Sequence, residues 1–186
     1  MADVQLPPES QRRLLRIARQ TLEEFVRGEP KRDETVNDPY LGNTVYGAFV
    51  TLRNGRTLRG CVGSCLPTKP LYQLVIEMTE AAASRDRRVA PIRSQELGGI
   101  HIDISILSAL EVALDPLSLR AGRHGLHVAN GENRGVLLPQ VATEYGWDIE
   151  TFLEQTCIKA GLHKHAWQER DTCVSSFTAL VLEEWQ

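Results

Sequence analysis

One stretch of the sequence decides the fold: YGAFVTLRNGRTLRGCVGS, residues 46–64. Apolar, β-branched and aromatic side chains indicate a strand over residues 46–52 and a second strand over residues 57–62. The dipeptide Asn54-Gly55 lies between them and is typical of a type I′ hairpin turn, in which both central residues need positive φ. The stretch therefore predicts an antiparallel β-hairpin.

The type I′ turn also predicts which residues face each other across the hairpin. Val50 would pair with Arg59, and Ala48 with Cys61. Because side chains alternate between the two faces of a sheet, Arg59 and Cys61 would then share one face.

Periodic hydrophobic patterns predict further elements on both sides of the hairpin. The predicted helices span residues 9–27, 68–84 and 148–161, and the predicted strands span residues 100–107, 126–129, 135–138 and 173–183. The charged run over residues 29–38 is interpreted as a surface connection. Hairpins and helices in irregular order predict an α+β fold rather than a repeating βαβ sheet.

Length and composition favour one globular domain spanning residues 1–186. The net charge of −3 argues against a protein that grips nucleic acid mainly by neutralising phosphates. No stretch approaches the ~20 apolar residues of a membrane span, and the N-terminus lacks the basic start and apolar run of a secretory signal. We therefore expect a cytoplasmic protein, without membrane partners, whose four cysteines are reduced thiols.

Several short motifs follow one another at characteristic spacings. They are FVTL at residues 49–52, LRGCVGS at 58–64, Asp86 with Arg88 and Pro91, LLPQV at 137–141, GWD at 146–148 and CIKAGL at 157–162. Together they resemble the AMMECR-type domain family, the A component of the AmmeMemoRadiSam set. Arg87 and Val89 stand where that family usually shows a proline and an aromatic residue, which puts any stacking role of the aromatic in doubt here.

The resemblance implies a fold and a set of partners. The implied fold has a largely antiparallel main sheet flanked by helices, with a smaller subdomain beside it. The implied partners are a Memo-type protein and a radical S-adenosylmethionine protein. The resemblance brings no established reaction and no cofactor, so the cofactor stays unknown.

The segment Arg59-Gly60-Cys61-Val62-Gly63-Ser64 is the first candidate site. Its two glycines permit close approach of a ligand to the backbone and can direct amide N–H groups into one concavity. A guanidinium at Arg59 on the same face would favour the nucleophilic thiolate of Cys61, the candidate catalytic residue. The alternative is that Cys61 is a small packing residue and that the glycines shape a strand end.

Four further polar residues inside the family motifs are candidate ligand contacts: Asp86, Arg88, Gln140 and Lys159. A planar guanidinium such as that of Arg88 recognises anionic groups in a bidentate manner. The alternatives are an ion pair between Asp86 and Arg88, and a Lys159 placed near a helix C-terminus, where a cation is favoured. The spacing of the histidines and cysteines does not form a structural zinc set, so no metal is predicted.

Three functions from different classes stay open. The first is an accessory or small-molecule-binding module that acts with the Memo-type and radical enzymes through a cleft bordered by residues 59–64. The second is a thiol-dependent enzyme with Cys61 as nucleophile or redox residue. The third is a nucleic-acid-binding module that uses four arginines: Arg85, Arg87, Arg88 and Arg93.

Overall fold

The structure, a computed structural model, describes residues 3–30 and 36–184. Part of the predicted surface connection, residues 31–35, lies outside the described residues. The chain forms two compact units: one contains Ser108–Ala179 with the N-terminal residues up to Val4, and the other contains Gln5–Leu107 with Leu180–Gln186. No helix of the described residues is long and apolar enough to cross a membrane.

The larger unit contains the main sheet, whose strand order is β2-β1-β3-β8. Its strands are β1 Gly47–Asn54, β2 Thr57–Ser64, β3 Ile100–Leu107 and β8 Ala179–Glu183. Strand β1 pairs antiparallel with both β2 and β3. The helices of this unit are α1 Pro8–Arg27 and α2 Leu71–Ser84. The predicted α+β fold with a largely antiparallel main sheet is confirmed.

The core of the larger unit follows from alternation along β1 and β3. Three cross-strand pairs are fully buried: Ala48 with Ile106, Val50 with Ile104, and Leu52 with Ile102. The opposite face of β3 carries partly exposed polar residues such as His101 and Asp103. The predicted half-buried strand over residues 100–107 is therefore confirmed, and α1 and α2 supply apolar residues such as Leu14 and Leu74 to the core.

The predicted turn of the central hairpin is wrong by one residue. Asn54 pairs with Thr57, so the two loop residues are Gly55 and Arg56, and of these only Gly55 has positive φ, at 57°. A type I′ turn needs positive φ at both positions.

The pairing also shifts at a β-bulge beside Leu52, where Arg59 is the extra residue of β2. As a result Cys61 lies opposite Thr51 and not opposite Ala48.

The smaller unit has a second four-stranded sheet in the order β4-β7-β5-β6. Its strands are β4 Glu111–Val112, β5 Gly125–Asn130, β6 Asn133–Leu137 and β7 Cys173–Phe177, and its helices are α3 Pro139–Tyr145 and α4 Ile149–Lys159. The predicted pairing of residues 126–129 with 135–138 and the cap of α4 by Asp148, which accepts a hydrogen bond from the Thr151 N–H at 2.8 Å, are confirmed. The predicted strand over residues 173–183 is two strands, β7 and β8, in different sheets.

Gly60 sets how closely α2 packs on β2. A Cβ atom at this position would lie 2.0 Å from the carbonyl oxygen of Ala82, a distance that no packed pair of atoms tolerates. Because the obstacle is backbone and not a flexible side chain, a larger residue must push the helix away from the sheet.

We therefore expect Gly60→Ala to lower the free energy of unfolding by about 2 kcal/mol or more, measured by urea denaturation. The matched control is Gly98→Ala, because a Cβ there meets nothing within 4 Å. Equal stability of the two variants would show that α2 does not depend on this contact.

Candidate functional site

The site is built around the open edge of the main sheet. Strand β2 is an edge strand, and Cys61 directs its backbone N–H and C=O away from β1. The Asp86 carboxylate accepts a hydrogen bond from the Cys61 N–H at 2.8 Å, and the Arg88 guanidinium donates one to the Cys61 carbonyl oxygen at 3.1 Å. Two side chains of one loop therefore satisfy the groups that a neighbouring strand would otherwise satisfy. We call this arrangement of Asp86 and Arg88 the edge clamp.

Asp86 and Arg88 form a bidentate ion pair. Arg88 Nε lies 2.9 Å from Asp86 Oδ1, and Nη2 lies 2.7 Å from Oδ2. The Asp86 side chain is only 5% exposed, whereas the Arg88 side chain is 59% exposed. The hydrogen bonds from Arg88 and from the backbone N–H groups of Cys61 and Arg88 hold the pKa of Asp86 far below its usual range. The ion pair that the sequence offered as an alternative to ligand binding is thus present, and Arg88 still reaches solvent.

The thiol of Cys61 lies in a polar row that crosses three strands. Thr51 is opposite Cys61 on one side and opposite Asp103 on the other, so the three residues share one face of the sheet. The Thr51 hydroxyl donates to Cys61 Sγ at 3.3 Å, and Arg53 Nε lies 3.2 Å from Asp103 Oδ2. The predicted register placed Ala48 beside Cys61, and sequence analysis therefore missed this row.

The Arg59 guanidinium, which the sequence predicted beside Cys61, is bound to another residue. It forms its own bidentate ion pair with Glu96, with Nε 2.8 Å from Oε1 and Nη2 3.1 Å from Oε2. This pair lowers the pKa of Glu96. The guanidinium associated with Cys61 belongs instead to Arg88, whose pKa is raised first by Asp86 and to a smaller extent by Cys61.

The two glycines of the segment have packing roles. Gly60 makes room for α2, and a Cβ at Gly63 would lie 2.2 Å from the ring of Phe49, its cross-strand partner. Neither glycine has positive φ, so the predicted concavity of converging N–H groups is absent and the backbone is an ordinary strand. The Ser64 hydroxyl both donates to the Leu66 carbonyl and accepts from the Leu66 N–H.

Gln140 and Lys159 belong to the other unit. Gln140 is the second residue of α3, and the exposed Lys159 is the last residue of α4. Lys159 is therefore at the helix C-terminus, where its charge is favoured by the helix dipole. The nearby Cys157 is fully buried, and burial raises the pKa of its thiol. Within the described residues no group of three or more potential ligands is arranged for a metal ion.

We expect Asp86→Asn to lower the free energy of unfolding by about 2 kcal/mol at neutral pH, because charge-assisted hydrogen bonds to Cys61 and Arg88 are lost. The pKa of Asp86 is depressed in the folded state, so its stabilisation is complete above the unfolded pKa of ~3.9 and declines as the pH falls below it. Urea unfolding at neutral pH and near pH ~3 should therefore show the variant and the wild type converging in acid.

The control is Asp171→Asn, which makes the same carboxylate-to-amide change at an exposed residue. It should have little effect on the free energy of unfolding at either pH. A stability difference for Asp86→Asn that stays constant on acidification would contradict this account of the clamp.

Comparison with known proteins gives the family. A family model described as AMMECR1 matches residues 15–182. A protein of Methanothermobacter thermautotrophicus is 41% identical over 179 residues, covering 93% of each chain, and a protein of Thermococcus gammatolerans is 41% identical over 185 residues, covering 92% of this chain and 88% of its own. The crystal structure of an uncharacterized protein from Pyrococcus horikoshii matches with a TM-score of 0.90 at 35% identity, over 97% of this chain and 94% of that chain.

The names of these relatives state no function. Similarity therefore assigns the chain to a family but assigns it no activity. The family match covers both compact units and includes every candidate residue described above. The chain belongs to the AMMECR1 family, an α+β domain family of unassigned function.

Proposed function

We propose that this chain is an accessory, ligand-binding module whose ligand is anionic and contacts the protein beside Cys61 and the edge clamp. In this proposal the module acts with a Memo-type protein and a radical S-adenosylmethionine protein, the partners that the family resemblance implies. It presents the ligand and does not itself turn it over.

The observation that carries the proposal is a local reversal of charge. The chain has a net charge of −3, whereas residues 85–93 contain four arginines and one aspartate, a formal charge of +3. Arg85, Arg87 and Arg88 are all exposed. Within the described part of the chain, no ion pair is recorded for Arg85 or Arg87, and the one acid of the loop is already bound to Arg88. A concentration of solvent-facing guanidinium groups favours an anion over a neutral or cationic ligand.

The thiol of Cys61 can report the electrostatic potential beside these arginines, because it is half-buried and lies next to the edge clamp. Iodoacetate and iodoacetamide react with thiols by the same chemistry but differ by one negative charge. The ratio of their rates at one thiol therefore reports the electrostatic potential there, with accessibility cancelled.

We expect the iodoacetate-to-iodoacetamide rate ratio to be about threefold higher at Cys61 than at the exposed Cys173, as a unit charge ~7 Å away in water would produce. Arg87→Gln should lower the ratio at Cys61, and the effect should fade with added salt. The matched control is Arg56→Gln, which removes the same charge at the tip of the hairpin, ~15 Å along β2.

Equal ratios at Cys61 and Cys173, or equal effects of the two arginine variants, would refute an anion-attracting site. A salt-dependent mobility shift with a short oligonucleotide, abolished by Arg87→Gln, would instead identify the anion as nucleic acid.

The second candidate function, a thiol-dependent enzyme, is favoured by one observation: the hydrogen bond from the Thr51 hydroxyl to Cys61 Sγ at 3.3 Å. A donor aimed at sulfur stabilises the thiolate, which is the nucleophile. Cys61→Ser separates the two functions, because ligand binding through arginines survives this change and thiol catalysis does not.

For this second candidate we expect Thr51→Val, which keeps the shape of the side chain and removes its hydroxyl, to slow alkylation of Cys61 by iodoacetamide about threefold to tenfold at fixed pH. Mass-spectrometric mapping of all four cysteines gives the internal reference. An unchanged rate at Cys61 would mean that the Thr51 hydroxyl does not support a reactive thiol.

A further inference from the structure

The smaller unit has an edge strand of its own, and no clamp covers it. Strand β4 is the edge of the second sheet, where Val112 lies opposite Ser175 of β7. The next residue, Ala113, donates its N–H to the Val174 carbonyl. Because N–H directions alternate along a strand, Val112 points its N–H and C=O away from β7. No partner for these groups is recorded within residues 3–30 and 36–184.

Several apolar side chains along this open edge are unusually exposed to solvent. Leu114 is 97% exposed, Val112 is 65% exposed and Leu117 is 51% exposed, all within six residues of sequence. Scattered apolar residues are common on protein surfaces, but three close together beside an unpaired strand mark an interaction site or an aggregation hazard.

A groove of about 710 Å³ borders the strand. One wall is the segment 111–115, and the other wall contains Arg120, Arg123 and His124. Burial and then the charges of Arg123 and Arg120 lower the pKa of His124, so the two guanidinium groups act on this wall of the groove. Arg123 also lies 3.6 Å from Asp3, in an exposed pair that holds neither partner strongly.

The segment 111–115, which forms one wall, has the charges and apolar side chains that would complement the other wall. Its sequence is EVALD, residues 111–115, with apolar side chains between two carboxylates. An extended strand of this composition would pair with the open edge, cover the exposed apolar residues and bring carboxylates to the arginines. Self-complementarity of one patch is the requirement for an interface with two-fold symmetry.

We propose that the β4 edge is a self-association surface, on which β4 of a second copy of this chain adds antiparallel to β4. Pairing Val112 with Val112 of the second copy joins the two outward-facing backbones. It also keeps Glu111 and Asp115 away from the same residues of the other copy, since Glu111 then faces Ala113. The interface is small, so the dimer is weak and depends on concentration. This inference is independent of the site at Cys61.

Sedimentation equilibrium of the full chain tests it, from about 5 µM to about 1 mM, the range in which small interfaces associate. We expect a dimer population that grows with concentration and declines with added salt. Two variants probe the surface without disturbing the fold. Val112→Pro removes the outward N–H that the β4–β7 ladder does not use, and Leu114→Asp replaces a side chain that is 97% exposed.

Each variant should raise the dimer dissociation constant about tenfold or more, because a symmetric interface loses the contact twice. The matched control, Leu66→Asp, introduces the same charge at an exposed leucine of the other unit and should leave the constant unchanged.

A monomer mass at every concentration would overturn the proposal. The partner of the β4 edge would then have to be a different protein. A dimer that both variants form as readily as the wild type would overturn it as well, since the interface would then lie elsewhere. Thermal unfolding of each variant, expected to match the wild type, confirms that altered association is not altered folding.

Discussion

The backbone N–H and C=O of Cys61 face the open edge of the main sheet, and a buried or half-buried strand edge cannot leave such groups unpaired without a cost of about 1–3 kcal/mol each. The edge clamp meets this constraint with side chains in place of a strand. The clamp fixes the loop of residues 85–93 against β2, and that loop carries the arginines. The position of the cationic loop beside the thiol is thus a consequence of how the edge is satisfied.

The two sheets treat their edges differently. At β2, a nearly buried carboxylate and a guanidinium occupy the backbone groups of Cys61, which prevents another strand from pairing there. At β4, the backbone groups of Val112 have no recorded partner in the described part of the chain, and exposed apolar side chains lie beside them. The anionic ligand that we propose would contact side chains at the first edge, and the second copy that we propose would pair with the backbone at the other. The two proposed sites lie in separate units.

Local patterns were sufficient for most of the fold. The alternation of Ile100, Ile102, Ile104 and Ile106 predicted a half-buried strand because side chains of a strand alternate between its two faces. Asp148 predicted a helix start because its side chain caps the helix locally. The hairpin register was not predictable in this way. The bulge at Arg59 adjoins Gly60, which lies close to α2, and the Arg59 side chain pairs with Glu96; both contacts are distant in sequence. The guanidinium beside Cys61 is that of Arg88 and not, as the predicted register had it, that of Arg59, and the row through Thr51 depended on the true register.

The most direct test of the central claim is native-state hydrogen exchange at two amides of β2. Cys61 and Gly63 are two residues apart and direct their N–H groups toward the same open edge. Among the described residues, the Cys61 N–H has a recorded acceptor, the Asp86 carboxylate at 2.8 Å, and none is recorded for the Gly63 N–H. We predict strong protection at Cys61, fast exchange at Gly63, and loss of the difference in Asp86→Asn. Equal exchange at the two amides in the wild type would contradict it, because the clamp would then not hold the edge.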